Sequence, residues 1–171
     1  MFKKAVFPGK YIQGVNSLKE LPSLVNLFGT KGLILASPTA EEKVLNHSGI
    51  DWKSHRTEIE LFRRECCEEE INRIHRIVKE KEIDTLIGMG GGKTIDTAKI
   101  AADRAGVPVI IVPTIASTDA PCSGCAVIYS SDGVFESVSY QKTNPAAVLV
   151  DTSIILQAPV RFLVAGMGDA L

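Results

Sequence analysis

The stretch LIGMGGGKTIDTAK, residues 86–99, concentrates the residue types that handle phosphate. An apolar run delivers the chain to Gly88, Gly90, Gly91 and Gly92, and a helical pattern opens at about Lys93. Glycine lets a backbone turn tightly and approach a ligand, and free N–H groups at a helix start attract anions. The cradle differs from two common phosphate loops. A Walker A loop needs a glycine five residues before its Gly-Lys pair, where Ile87 stands. The fingerprint G-x-G-x-x-G fails at its third glycine, which is Lys93. Three successive glycines lose much chain entropy on folding, which argues against a purely structural turn.

Two further groups could carry chemistry. Asp169 stands among Phe162, Leu163, Val164, Ala165, Met167 and Leu171. An ionised carboxylate in apolar surroundings is costly unless it is paired, hydrogen-bonded or holding a metal. The motif CSGC, Cys122 to Cys125, has the spacing of a redox pair or of half a zinc site. A structural zinc site needs a second ligand pair, which His47, His55 and His75 do not supply by spacing, so small residues in a packed loop are the favoured reading. Cys66 and Cys67 are adjacent and seldom bond to each other.

These groups must be positioned by a regular scaffold. GLILAS (32–37), DTLIGMG (84–90), VPVIIVPT (107–114) and AAVLVD (146–151) read as buried strands. Helical patterns stand between them. SLKELPSLVNLF has a capping-box spacing at Ser17 and Glu20, with Pro22 making the helix short or late. TAEEKVLNHSG reads as a helix stopped near Gly49, and WKSHRTEIE as a weakly alternating strand. CCEEEINRIHRIVKEKE puts Ile71, Ile74, Ile77 and Val78 on one face, with acids first and bases later, in agreement with the helix dipole. GGKTIDTAKIAADRAG follows the glycine turn as a further helix. Alternating strands and helices predict βαβ units and a parallel sheet. CAVIYSSDGVFESVSY is expected to form a hairpin turning at Ser131-Asp132-Gly133, an Asp-Gly turn of the favoured kind. From Pro159 the chain is apolar on nearly all sides and reads as a buried helix.

With 171 residues, 45% hydrophobic, and a net charge of -1, the chain suits one globular unit or a little more. Lys and Arg are dispersed, so neither nucleic acid nor an anionic membrane is indicated as a partner. No apolar run reaches the roughly 18 residues that span a bilayer. The start MFKKAVFPGKYIQG has no long apolar stretch behind its lysines, so no secretory signal is expected and a cytoplasmic location is the default.

The pattern GGGK-T-x-D-x-A-K resembles that of the iron-containing alcohol dehydrogenase superfamily. PGKYIQG (8–14), VPTIASTDAPCS (112–123) and AGMGDAL (165–171) narrow the resemblance to the glycerol dehydrogenase family, in the family's order and across essentially the whole chain. The resemblance implies a Rossmann-like parallel sheet flanked by helices with an added β-hairpin. It implies that Gly90, Gly91, Gly92, Lys93, Thr94 and Asp96 lie beside the pyrophosphate of NAD. Thr114 and Ser117 would contact the dinucleotide from the end of the next strand, where open α/β sheets bind ligands. Ser123, Cys125 and Tyr129 fall where the family contacts the nicotinamide half, Cys125 through its backbone. Ser37 stands where the family usually carries an acid for the adenosine ribose; a serine does not repel a 2′-phosphate as a carboxylate would.

By the same resemblance Asp119 lies near a polyol substrate and Asp169 is one ligand of a zinc or iron ion. Without the resemblance, Asp119 reads equally as an Asp capping a turn. The resemblance implies two histidine ligands in a helical C-terminal domain downstream of these residues, so the metal site is expected to be incomplete here. Residues 1–158 are read as the dinucleotide-binding domain and 159–171 as the first helix of the C-terminal domain. The expected reaction is metal-assisted oxidation of glycerol to dihydroxyacetone, with weak or no turnover by these residues alone. The partners expected are glycerol or another small polyol, and either a second copy or a complementing C-terminal half. Alternatives are a non-catalytic dinucleotide-binding or assembly module, and a dehydrogenase of another small diol or a phosphorylated polyol.

Overall fold

A computed structural model describes residues 5–171. In chain order, strand β1 (Tyr11–Gly14) leads through a 3-10 turn (Ser17–Glu20) into helix α1 (Leu21–Phe28). Strand β2 (Gly32–Ala36), helix α2 (Pro38–Lys43), strand β3 (Thr57–Leu61) and helix α3 (Glu68–Glu80) follow. Then come strand β4 (Thr85–Gly90), helix α4 (Gly92–Ala105) and strand β5 (Val109–Pro113). Strands β6 (Cys125–Tyr129) and β7 (Phe135–Tyr140) form a hairpin, and strand β8 (Ala147–Asp151) precedes helices α5 (Thr152–Ile155) and α6 (Val160–Asp169).

Six strands make one parallel sheet in the order β1-β8-β5-β4-β2-β3. β2 and β4 lie in its middle with every residue buried, which is why they read as continuous apolar runs rather than alternating ones. Side chains alternate between two cores. Ile34, Ala36, Ile87, Met89 and Val112 pack with Leu21, Leu24 and Val25 of α1 and Ala40 of α2. Leu33, Leu35 and Leu86 pack on the other face with Ile74 and Val78 of α3 and Ala98, Ala101 and Ala102 of α4.

Helix α4 is buried along nearly its whole length because the sheet covers one side and the hairpin another, through Ile100, Ala126 and Ile128. Gly88 makes that packing possible: a Cβ there would lie 2.7 Å from the Cβ of Ala98. Gly106 ends α4 with φ of 72°, a conformation open to glycine without strain.

Several local expectations are corrected. Ser17 does not cap a helix; its hydroxyl donates to the Val150 carbonyl, and α1 starts at Leu21 with Pro22 in its first turn. The strand expected in residues 52–60 is confined to its second half and runs on to Leu61, because 52–56 turn and bury Trp52. In the hairpin only Gly133 has positive φ, at 81°, and its N–H donates to the Ser130 carbonyl. The turn is therefore an ordinary right-handed one closed by a left-handed glycine, not the mirror-image Asp-Gly turn. Helix α6 forms but is not buried: Val164 and Met167 are 61% and 62% exposed. Its apolar composition left no outer face marked in the sequence, and only a few of its residues meet the rest of the chain.

Candidate dinucleotide site

β2 leads through α2 to the β3 edge of the sheet, whereas β4 leads through α4 toward β5 and β8. The carboxyl ends of β2 and β4 are therefore a topological switch point, the place where open α/β sheets form a ligand crevice. Ser37 follows β2 there, and Gly90, Gly91 and Gly92 follow β4. A Cβ on Gly90 would stand 2.9 Å from Thr94 Oγ1 and 3.1 Å from Ser37 Cβ, so only a glycine fits between them. A Cβ on Gly91 would meet the tip of Ile115 at 3.1 Å. Gly91 starts α4 without a side-chain cap, so the first-turn N–H groups of a 14-residue helix have no side-chain acceptor. A cavity of about 370 Å³ opens beside the turn, lined among others by Ser37, Gly91 and Thr114. The bare backbone and the crevice suit a dinucleotide pyrophosphate.

Lys93, in the first turn of α4, pairs with Glu65 at 2.5 Å and lies over the Tyr129 ring, 5.1 Å from its centroid. Tyr129 in turn donates its N–H to the Cys66 carbonyl, so this cluster ties the hairpin to the start of α3. Thr94 is buried against Gly90.

Asp96 is committed beneath the hairpin. Its Oδ2 accepts the Val127 N–H at 3.0 Å, and its Oδ1 makes an ion contact with Lys99 Nζ at 3.0 Å. Burial pushes its pKa up, and Lys99 and the Val127 N–H oppose that rise. Lys99 is only 1% exposed, and its ammonium donates to the carbonyls of Ala120, at 2.9 Å, and Cys125. Ser123 lies 3.4 Å from it through both its carbonyl and its hydroxyl. Among the expected cofactor contacts, then, Ser123 and Cys125 are held by Lys99, with the Cys125 carbonyl already engaged. Lys99 was not among the candidate site residues. The available signal was a lysine three residues after Asp96 on a helix otherwise carrying Ile95, Ala98, Ile100 and Ala101.

The loop after β5 completes the crevice. Thr114 donates its N–H to the Gly90 carbonyl at 3.0 Å, joining the loop to the glycine turn. Helix α6 crosses this loop at Gly166, where a Cβ would come within 2.3 Å of the Ala116 carbonyl oxygen and 3.3 Å of Ser117 Cα. The crossing brings Asp169 to Asp119, whose backbone N–H donates to Asp169 Oδ2 at 2.8 Å. Asp119 and Asp169 are both exposed, which corrects the apolar surroundings inferred for Asp169. Among the described residues no group of three or more His, Cys, Asp or Glu side chains could hold a metal ion. His47 and His55 are exposed and His75 is half-buried, and the four cysteines are free thiols.

Known proteins match this chain along most of its length. The family model described as iron-containing alcohol dehydrogenase matches residues 8–152. A glycerol dehydrogenase of Thermotoga maritima is 44% identical over 172 residues, covering 100% of this chain and 47% of that protein. One from Escherichia coli is 41% identical, covering 96% of this chain and 45% of that protein. A crystal structure of a probable glycerol dehydrogenase from Sinorhizobium meliloti superposes with a TM-score of 0.89 at 41% identity, covering 98% of this chain and 46% of that one. The chain thus spans about half the length of the relatives it matches. The glycine turn and the loop after β5 lie inside the matched span, and the chain belongs to the iron-containing alcohol dehydrogenase family.

Proposed function

We propose that this chain is the nicotinamide-dinucleotide-binding part of a dehydrogenase that oxidises glycerol, or another small polyol, to the corresponding ketone. The observation that carries this reading is the glycine turn at the switch point, where Gly90 has no room for a side chain between Ser37 and Thr94. The first-turn N–H groups of α4 and the Lys93 ammonium would hold the pyrophosphate, with Gly92 and Thr94 in the same turn. Ser37 would bond a ribose hydroxyl, and Thr114 and Ser117 would line the path of the dinucleotide. Ser123, Cys125 and Tyr129 would border the nicotinamide half. When bound, the nicotinamide ring supplies the hydride acceptor.

Asp119 would orient a polyol hydroxyl at the mouth of the crevice. Its backbone contact to Asp169 brings two carboxylates to that mouth. Asp169 would provide one metal ligand, and the remaining ligands would come from outside the described residues. Residues 159–171 would then begin a second domain, as the exposed apolar side chains of α6 suggest.

The test is calorimetric titration of the 171-residue chain with NAD, followed by a glycerol oxidation assay. Micromolar to millimolar binding without turnover is expected. Failure to bind any dinucleotide overturns the site. Metal-dependent turnover at ordinary rates by these residues alone overturns the division of labour.

A further inference from the structure

Glu65 belongs to the turn before α3, yet the fold fixes it beside the start of α4. Its Oε1 accepts the Cys66 N–H at 3.0 Å, and its Oε2 accepts from the Lys93 ammonium at 2.5 Å. The carboxylate is only 17% exposed, and a Cβ on Gly133 would lie 3.4 Å from Oε2, so the tip of the hairpin closes over it. Lys93 is held from the other side by the face of the Tyr129 ring. An acid with both oxygens engaged, against a cation with one preferred place, is a built pair rather than two surface charges in passing contact.

The charges of α4 show what the pair accomplishes. Lys93, Asp96 and Lys99 are its charged residues before Asp103, and they sum to one positive charge. Asp96 is matched by Lys99, which leaves Lys93 to be matched from outside the helix, and Glu65 does so. The part of α4 that faces the hairpin therefore carries no net charge.

Neutrality there bears on one chemical difference. An oxidised nicotinamide ring carries a positive charge, and the ring that has accepted a hydride carries none. A bare ammonium beside the ring would repel only the oxidised form, and a bare carboxylate would attract only that form.

We propose that Glu65 sets the preference of this site between oxidised and reduced cofactor, by neutralising Lys93 so that a cationic nicotinamide can lie beside Tyr129 without repulsion. The proposal rests on the reading above that Tyr129 borders the nicotinamide half. Glu65 itself touches no part of the cofactor; it acts through Lys93.

The experiment titrates the 171-residue chain and three variants with NAD, NADH and ADP-ribose at constant ionic strength, and reads the ratio Kd(NAD)/Kd(NADH). Glu65→Gln keeps the shape of the side chain and an acceptor for the Cys66 N–H, and should raise the ratio about fivefold. Lys93→Met leaves the carboxylate unmatched and should lower the ratio by a similar factor. The double variant should return within about twofold of the natural chain. Both ligands meet the same protein sample, so a general loss of folded protein cancels in the ratio. A change in pyrophosphate affinity cancels too, and ADP-ribose, which has the pyrophosphate but no ring, measures it separately. Ratios unchanged in both single variants, or moved in the same direction by both, overturn the role of Glu65 while leaving the dinucleotide site standing. Absence of binding by all three ligands to the natural chain overturns the dinucleotide site itself.

Discussion

The backbone N–H of Asp119 donates to the carboxylate of Asp169 over 2.8 Å, joining residues fifty positions apart. The contact exists because α6 crosses the loop after β5 at Gly166, close enough that any side chain there would strike the Ala116 carbonyl. Two acids separated in sequence by the hairpin, β8 and α5 are thereby brought together at the loop after β5.

Because both acids are exposed, the bond should order the loop more than it stabilises the fold. Asp169→Ala is expected to change the unfolding free energy by less than about 1 kcal/mol, and to speed hydrogen exchange at the Asp119 amide. Asp169→Asn keeps an oxygen acceptor and should exchange like the natural chain. Equal amide protection in the Ala variant would show that the bond is not populated.

Lys99 is the opposite case, a charge that the fold has fully enclosed. Replacing it with Met strands the Asp96 carboxylate and two backbone carbonyls, and removing one partner of a buried pair costs about 3–5 kcal/mol. Urea titration of Lys99→Met should show that loss, and Asp96→Asn in the same chain should recover part of it as a coupling of about 1–3 kcal/mol. A Lys99→Met protein within about 1 kcal/mol of the natural chain would contradict the assigned hub.

The glycines divide into packing and binding positions. Gly88→Ala drives a methyl group to 2.7 Å from Ala98 on a packed helix, and overpacking of this kind costs about 1–3 kcal/mol. Gly91→Ala meets only the flexible tip of Ile115 at 3.1 Å, so the fold should survive nearly unchanged. Its methyl group intrudes where the pyrophosphate is proposed to approach, and dinucleotide affinity should fall about tenfold or more. Thermal melts and NAD titrations on both variants separate the two roles. A Gly91→Ala chain that binds like the natural one would remove the cradle.

Asp151 gives the fold an acid-sensitive joint. It is 2% exposed, and it accepts N–H bonds from Leu18 at 2.9 Å, Ser153 at 2.9 Å and Asn16 at 3.1 Å, besides the Ser153 hydroxyl. Burial pushes its pKa up, but these hydrogen bonds outweigh burial and hold it below the ordinary 3.8. The unfolded chain therefore takes up the proton first as pH falls, so this contribution is present above pH 3.8 and is lost as pH drops below it. Asp151→Asn should flatten that acid-side decline when urea midpoints are measured across the window. A decline as steep as that of the natural chain would assign the effect to other carboxylates, among them Asp84, whose pKa is also lowered. Asp96 works in the other direction: its raised pKa makes stability fall as pH rises from 3.8 through its folded value.

Local chemistry made much of this protein legible. Runs such as Gly32–Ala36 and Thr85–Gly90 lie in the middle of the sheet, where both faces are covered, so an uninterrupted apolar string is the physical signature of their position. Glycines 90 to 92 announced the turn because few other purposes justify their entropy cost. Helix α3 carried its own direction in its acids and bases.

What one residue does to another far along the chain was decided only by the fold. Asp96 read as a pyrophosphate neighbour from its place after the glycines, and that its carboxylate meets Lys99 and the Val127 N–H follows from the hairpin folding down over α4. Asp169 read as an acid in apolar surroundings, yet it is exposed, because α6 touches the chain chiefly through Gly166 and leaves its other faces open. Glu65, Lys93 and Tyr129 carry no local pattern that unites them, and they meet only because the turn before α3 and the hairpin both end up beside the first turn of α4. Turn chemistry and strand burial act over a few residues and so are written in composition. Pairings across a sheet or between distant helices depend on where the backbone finally runs, and composition does not encode that path.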